Sequence, residues 1–308
     1  MSPLAKRAEE YLTIRRALGY KLAGYDAVLR EFTDWLDSRG ATVVTAENAV
    51  RWVTRSRPAT SPIRQRQLLT MVRCFAEYLH AVDPRTEAPA KDLLPARYER
   101  KAPYLYSSAE LAGLMATARS LAPPLKAATY ETLVGLLACT GLRFGEAAGL
   151  DRTDVSLAEA DLLVRFGKNG RSRHVPIHET TVAALSAYAA ERDRLCPHPG
   201  APSFFVSVRG RRLAPSSTHA VFATLRRSVG LDASGRGRPP RLHDLRHGFI
   251  VGTMLAWRRE GVDVQARLPV LSTYVGHVDP KATYWYHQAA PELLALAARR
   301  LEPQGDVE

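Results

Sequence analysis

The sequence predicts a mainly α-helical protein with one small antiparallel sheet, on three observations. Apolar residues recur at helical spacing through most of the 308 residues. Only one stretch has a strand, turn, strand pattern, with Asn169-Gly170 in the turn. Prolines at 84, 89, 95 and 103 break the chain about a third of the way along, so the helices fall into two domains. The expected organisation is a helical domain over 1–83, a linker over 84–103 and a second domain over 104–308.

In the first domain, Tyr11, Leu12, Ile14 and Leu18 mark one helix, and Val28, Leu29, Phe32, Trp35 and Leu36 mark a second that Gly40 stops. Thr45 opens a short helix through Val53. Ser61-Pro62 opens a longer one carrying Leu68, Leu69, Val72, Phe75, Ala76 and Leu79. Its other face shows Arg64, Arg66 and Arg73, a basic side suited to phosphates or to water.

The second domain begins with Ser107 and Glu110, a capping pair ahead of Leu111, Leu114 and Met115. Leu125 to Thr140 is a strongly apolar helix ended by Gly141. Arg143 then stands at a helix-to-helix junction in an apolar setting, with Glu146 three residues on as a structural partner. Leu162 to Phe166 and Arg171 to Ile177 are the two strands, with Lys168 at the tip of the turn. Val182 to Leu195 is helical, Ser203 to Val208 is a short strand or buried extended piece, and Ser216 to Val229 is a basic amphipathic helix. A Gly/Arg/Pro-rich stretch leads to Arg241, after which Phe249 to Trp257 continues an apolar helix and a last helix carries Leu293, Leu294 and Leu296.

Composition narrows the partners. Forty-three Lys plus Arg against 31 Asp plus Glu give +12 and a pI near 9.9, which favours a polyanion. Between Arg209 and Arg246 there are nine arginines and two acids, Asp232 and Asp244. Cys74, Cys139 and Cys196 are too few and scattered for a disulfide framework, and Cys74 and Cys139 read as small core residues. No apolar stretch reaches the roughly 18 residues of a membrane span, and no opening segment looks like a leader, so a cytoplasmic protein without membrane contact is expected.

The stretch R-L-H-D-L-R-H, Arg241 to His247, concentrates chemistry. On a helix His243, Arg246 and His247 share one face. The H-x-x-x-H spacing suits zinc, but Asp244 is shorter than the glutamate of the metalloprotease helix, and Arg246 puts a permanent positive charge beside the metal. A guanidinium repels a dication and pairs with phosphate. A solvated helix face is the unremarkable alternative.

The order of the words GLRFGEAAGL around Arg143, GKNGRSRHVPI around Lys168, HDLRHG around His243 and Arg246, and VGH ending in His277 decides between them. From Tyr106 to Arg300 the chain resembles the phage-integrase family of tyrosine recombinases. The resemblance implies a catalytic domain preceded by a helical core-binding domain, closing as a C-shaped clamp on double-stranded DNA. It also implies that Arg143, Lys168, His243, Arg246, His277 and Tyr286 are the catalytic residues, that no metal or other cofactor is used, and that monomers assemble as a homo- or hetero-tetramer on specific recombination sites. Tyr286, nine residues after His277, is the implied nucleophile; Tyr284 is two positions away and faces about 200° round a helix. The longer, basic Trp257 to Ser272 segment and the Tyr-Trp-Tyr word resemble transposon-associated members.

The chemistry suits these residue types. Two arginines neutralise and orient a phosphodiester as a fifth oxygen approaches phosphorus. A phenol becomes a useful nucleophile once deprotonated beside positive charge. Lys168 can protonate the leaving oxygen, and His243 can act as acid or base on the attacking side. A type IB topoisomerase, which uses the same residues, and a catalytically silent DNA-binding regulator are the alternatives.

Overall fold

In a computed structural model of the chain the described residues are 2–55, 60–94, 103–165, 171–232 and 239–277. They form eleven α-helices and one three-stranded antiparallel sheet, in two compact units, Met1–Arg100 and Lys101–Glu308.

The first unit contains α1 (Pro3–Ala17), α2 (Tyr25–Asp37), α3 (Ala46–Arg55) and α4 (Pro62–His80). Ser61 starts α4 by accepting from the Arg64 amide, with Pro62 in the first turn, where its missing N–H costs nothing. The apolar stripes of the four helices meet in one core around Leu29, Phe32, Leu36, Trp52, Leu68 and Phe75, and the Phe32 and Trp52 rings lie 5.1 Å apart. Ile14 and Leu18, expected on the inward stripe, are 48% and 67% exposed. The stripe of α1 is Leu4, Ala8, Tyr11 and Leu12; Ile14 stands well round the helix from it, and Leu18 lies past the last turn. The basic side of α4 is partly engaged, Arg73 with Glu77 at 3.3 Å and Arg66 with Asp92 at 3.2 Å. Residues 84–94 run back over this unit: the Glu87 amide donates to Val44 O at 2.8 Å and its carboxylate accepts from the Ala46 amide.

The second unit contains α5 (Ser108–Arg119), α6 (Pro124–Thr140), α7 (Phe144–Gly149), a 3₁₀ turn at Arg152–Asp154, the strands β1 (Val155–Ser156), β2 (Asp161–Val164) and β3 (Arg173–Pro176), then α8 (Glu179–Leu195), α9 (Pro215–Ser228), α10 (Leu242–Arg259) and α11 (Val264–Val275). Ser107 and Glu110 cap α5 reciprocally, as their spacing predicts. The central α6 packs against α5, α8 and α10. The sheet order is β1-β2-β3, with Leu162 opposite Val175 and Val164 opposite Arg173. β1 adds a third strand to the expected two; at two residues it is too short to leave a periodic signal.

One open reading is resolved and two others change. Ser203 to Val206 is the buried piece and no sheet strand: it bends at Phe204 and Phe205, makes the isolated bridges Asp151 to Ser203 and Val206 to Arg212, and is held by the Phe204 amide donating to Leu150 O and by Arg192 Nη1 donating to Phe204 O. Cys139, expected in the core, is exposed, because the apolar residues of α6 extend beyond the part of its circumference that its neighbours cover. The stretch before Val275, given no element by its sequence, is the helix α11, capped by Asp263 and containing Pro269.

Candidate functional site

Three arginines on three different elements meet at the C-terminal end of α11. The last turn of a helix leaves carbonyls without intrahelical partners, and at α11 every one of them is used. Gly276, at φ +67°, turns the chain so that its own amide donates to Thr273 O at 3.0 Å and the His277 amide donates to Ser272 O at 2.8 Å. The next three carbonyls accept from arginines: Tyr274 O from Arg173 Nε at 2.9 Å, Val275 O from Arg246 Nη2 at 2.6 Å, and Gly276 O from Arg143 Nη2 at 3.1 Å. The negative end of the helix dipole offsets part of the repulsion among the three cations.

Arg143 reaches this point because Gly141 ends α6 in the left-handed region, at φ +62°, and α7 starts at once. A Cβ on Gly141 would lie 2.5 Å from Phe249 of α10, so glycine is needed there for space as well as for conformation. Arg246 lies on the buried face of α10, 2% exposed, and its Nη1 donates to Gly141 O at 2.7 Å. It therefore pins α10 to both the α6 end and the α11 end.

Glu146 is the counter-charge. Its side chain, 6% exposed, accepts from Arg143 Nη1 at 2.8 Å and the Arg143 amide at 3.0 Å, and from Arg173 through Nη1 at 3.1 Å and Nη2 at 2.9 Å. Burial alone raises the carboxyl pKa, but the Arg173 and Arg143 hydrogen bonds outweigh it and hold the group below its ordinary range. Three guanidinium charges against one carboxylate leave +2, a local charge that attracts anions.

His243 begins α10 one turn before Arg246. Desolvation by its surroundings, then the charges of Arg246 and Arg241, push its pKa down to about 4. One side of the residue stays open to solvent. At neutral pH the imidazole is uncharged and can accept a proton. His247 packs its ring 4.8 Å from that of His243, edge to face, and is itself buried. Asp244 is buried and accepts from the Arg241 amide at 2.7 Å and from Arg241 Nη2 at 3.2 Å, which makes it a helix-start carboxylate. Among the described residues, no group of three or more His, Cys, Asp or Glu side chains is placed to hold a metal ion.

Of the six residues singled out by sequence, Arg143, His243 and Arg246 come together here, and His277 follows Gly276 directly at the same helix end. Lys168 and Tyr286 lie outside the described residues. Sequence reasoning missed Arg173. The signal was available: alternation along β3 puts Arg173 on the face of buried Val175, and an arginine on an inward face needs partners.

The profile of the phage integrase family matches residues 106–292, and the chain belongs to that family. It is 39% identical over 308 residues, 98% of each chain, to a Sinorhizobium fredii protein described as "Putative integrase/recombinase". It is 29% identical over 241 residues to the tyrosine recombinase XerC of Methylobacterium nodulans, covering 77% of this chain and 70% of that one. Among solved structures, the Tn1549 transposon integrase in complex with a circular intermediate DNA superposes with a TM-score of 0.66 at 18% identity, covering 97% of this chain and 99% of that one. At that identity the likeness shows the fold. Among the described residues, no helix is long and apolar enough to cross a membrane.

Proposed function

We propose that the protein is a site-specific DNA recombinase of the integrase or transposase type, which cuts and rejoins double-stranded DNA through a 3′-phosphotyrosyl intermediate. The observation that carries this is the convergence of Arg143, at the α6 to α7 junction, and Arg246, on α10, on one partly neutralised cationic cluster beside His243.

In the reaction, the Tyr286 oxygen attacks the scissile phosphorus and gives up its phenolic proton. His243 accepts it, its basicity raised when the phosphate charge offsets the neighbouring guanidiniums that otherwise hold its pKa down. The P–O5′ bond breaks, and Lys168 supplies the proton to the leaving 5′ oxygen. Arg143 and Arg246 neutralise the non-bridging oxygens as charge concentrates on them, and His277 adds a hydrogen bond there. The phosphotyrosyl ester conserves the energy of the broken bond, so a 5′-hydroxyl from another strand reverses the step without ATP. Exchange between two duplexes breaks four strands and so engages four active sites, which supports assembly as a tetramer on DNA. Residues 1–83 then serve as the core-binding domain and 104–308 as the catalytic domain, joined through 84–103.

The test is covalent capture. A library of nicked duplexes with a randomised core is incubated with the protein, and protein-linked DNA is recovered and mapped. The wild-type chain should yield an adduct on Tyr286, and Tyr286→Phe should bind the selected duplex with unchanged affinity and form none. An adduct on Tyr284 would move the nucleophile, and relaxation of any supercoiled plasmid without strand exchange would indicate a topoisomerase.

A further inference from the structure

We infer that Arg173 is a positioning residue for this reaction, an inference that rests on the recombinase reading above. Arg173 joins the sheet to both halves of the arginine cluster. Its guanidinium grips the Glu146 carboxylate in a two-point fork, Nη1 to Oε1 at 3.1 Å and Nη2 to Oε2 at 2.9 Å. From the opposite side, Nε donates to Tyr274 O at 2.9 Å and Nη2 to Val275 O at 3.4 Å. The side chain is 13% exposed, and these four bonds occupy most of its five N–H donors, so it has little capacity left for a ligand.

Its effect passes through Arg143. Glu146 fixes Arg143 at its side chain and its backbone amide, and Arg173 fixes Glu146. Gly276 O is the second anchor of Arg143, and Arg173 holds the carbonyls of the two preceding residues. Both supports of the phosphate-facing arginine therefore lead to one side chain on β3. His277 leaves the same turn. The turn and Arg173 also fit in space, since a Cβ on Gly276 would lie 2.7 Å from Arg173 Nη1. The planar fork is what this requires: a lysine can reach one carboxylate oxygen but cannot bridge both while also reaching the carbonyls.

The experiment uses the full chain and the duplex selected by covalent capture as probe, with single-turnover cleavage and DNA affinity read separately. Arg173→Met should leave affinity within about twofold and slow adduct formation by about 10²-fold, the scale on which displacing a catalytic group by about 1 Å acts. Arg173→Lys should recover part of that loss and stay slower than wild type. In an Arg143→Ala background, Arg173→Met should slow the step less than about twofold further, because the group it positions is gone. A merely structural role predicts independent, multiplying losses instead. Wild-type rates in Arg173→Met, or in Arg173→Lys should the Met variant fail to fold, overturn the inference, as does additivity with Arg143→Ala. Absence of any adduct from the wild-type chain overturns the recombinase reading and this inference with it.

Discussion

Replacing Gly276 with alanine tests the geometry of the cluster by adding a single carbon. The residue sits at φ +67°, where an L side chain costs about 1–2 kcal/mol. The added Cβ would also lie 2.7 Å from Nη1, 2.8 Å from Cζ and 3.2 Å from Nε of Arg173, all closer than van der Waals contact. A free arginine would swing aside, but this one is held to Glu146 and to Tyr274 O, so moving it breaks charge-assisted hydrogen bonds worth about 1.5–3 kcal/mol each. With one of those bonds lost, the sum is about 2.5–5 kcal/mol, which in a domain of this size lowers the melting temperature by about 5–20 °C. Gly248→Ala is the control: that glycine has helical geometry on α10 and nothing within 4 Å of its Cβ position, so the change should be neutral or stabilise by up to about 1 kcal/mol. Thermal unfolding of both variants, with Gly276→Ala repeated in an Arg173→Ala background where only the backbone cost of about 1–2 kcal/mol should remain, completes the measurement. A Gly276→Ala protein that melts within about 2 °C of wild type would refute the close-packing argument.

Two further outcomes follow from the same cluster. The His243 ring should titrate well below its usual 6.5, near 4, by NMR, with Arg241→Ala moving the midpoint up; the unfolded chain takes this proton near 6.5 and the folded chain not until about 4, so this group makes stability rise with pH across that window, and a folded midpoint at or above 6.5 would contradict the assignment. Arg246→Ala should slow adduct formation by orders of magnitude and also destabilise the fold by about 2–4 kcal/mol, because Gly141 O and Val275 O lose a buried donor; a variant of unchanged stability in denaturant unfolding would show that those two bonds contribute little.

Much of the fold was legible because it is locally encoded. The cap at Ser61-Pro62, the Ser107 and Glu110 box and the Gly141 stop act within four residues of themselves, and the helices they bound appear where they predict. What failed was information that is not local. The helical spacing of Val264, Leu268, Leu271 and Val275 was present, but Pro269 and the flanking basic residues obscured it, and packing of those residues against Ile250 and Met254 settles the helix. Ile14 and Cys139 sit in apolar patterns, yet which side of a helix meets the core depends on neighbours that the pattern does not name.

By itself, the sequence determined the residue types and their order: arginine after a helix-stopping glycine, His-x-x-Arg in a helix start, Gly-His after an apolar run, and a strongly basic balance. Only the tertiary structure decided what holds those arginines in place. They come from positions 143, 173 and 246, far apart in the chain, and they meet because one helix ends there with carbonyls that need donors. Sequence spacing cannot encode that meeting, since a guanidinium finds its partners through space, and the carbonyls that gather these three belong to a helix the sequence alone left unassigned.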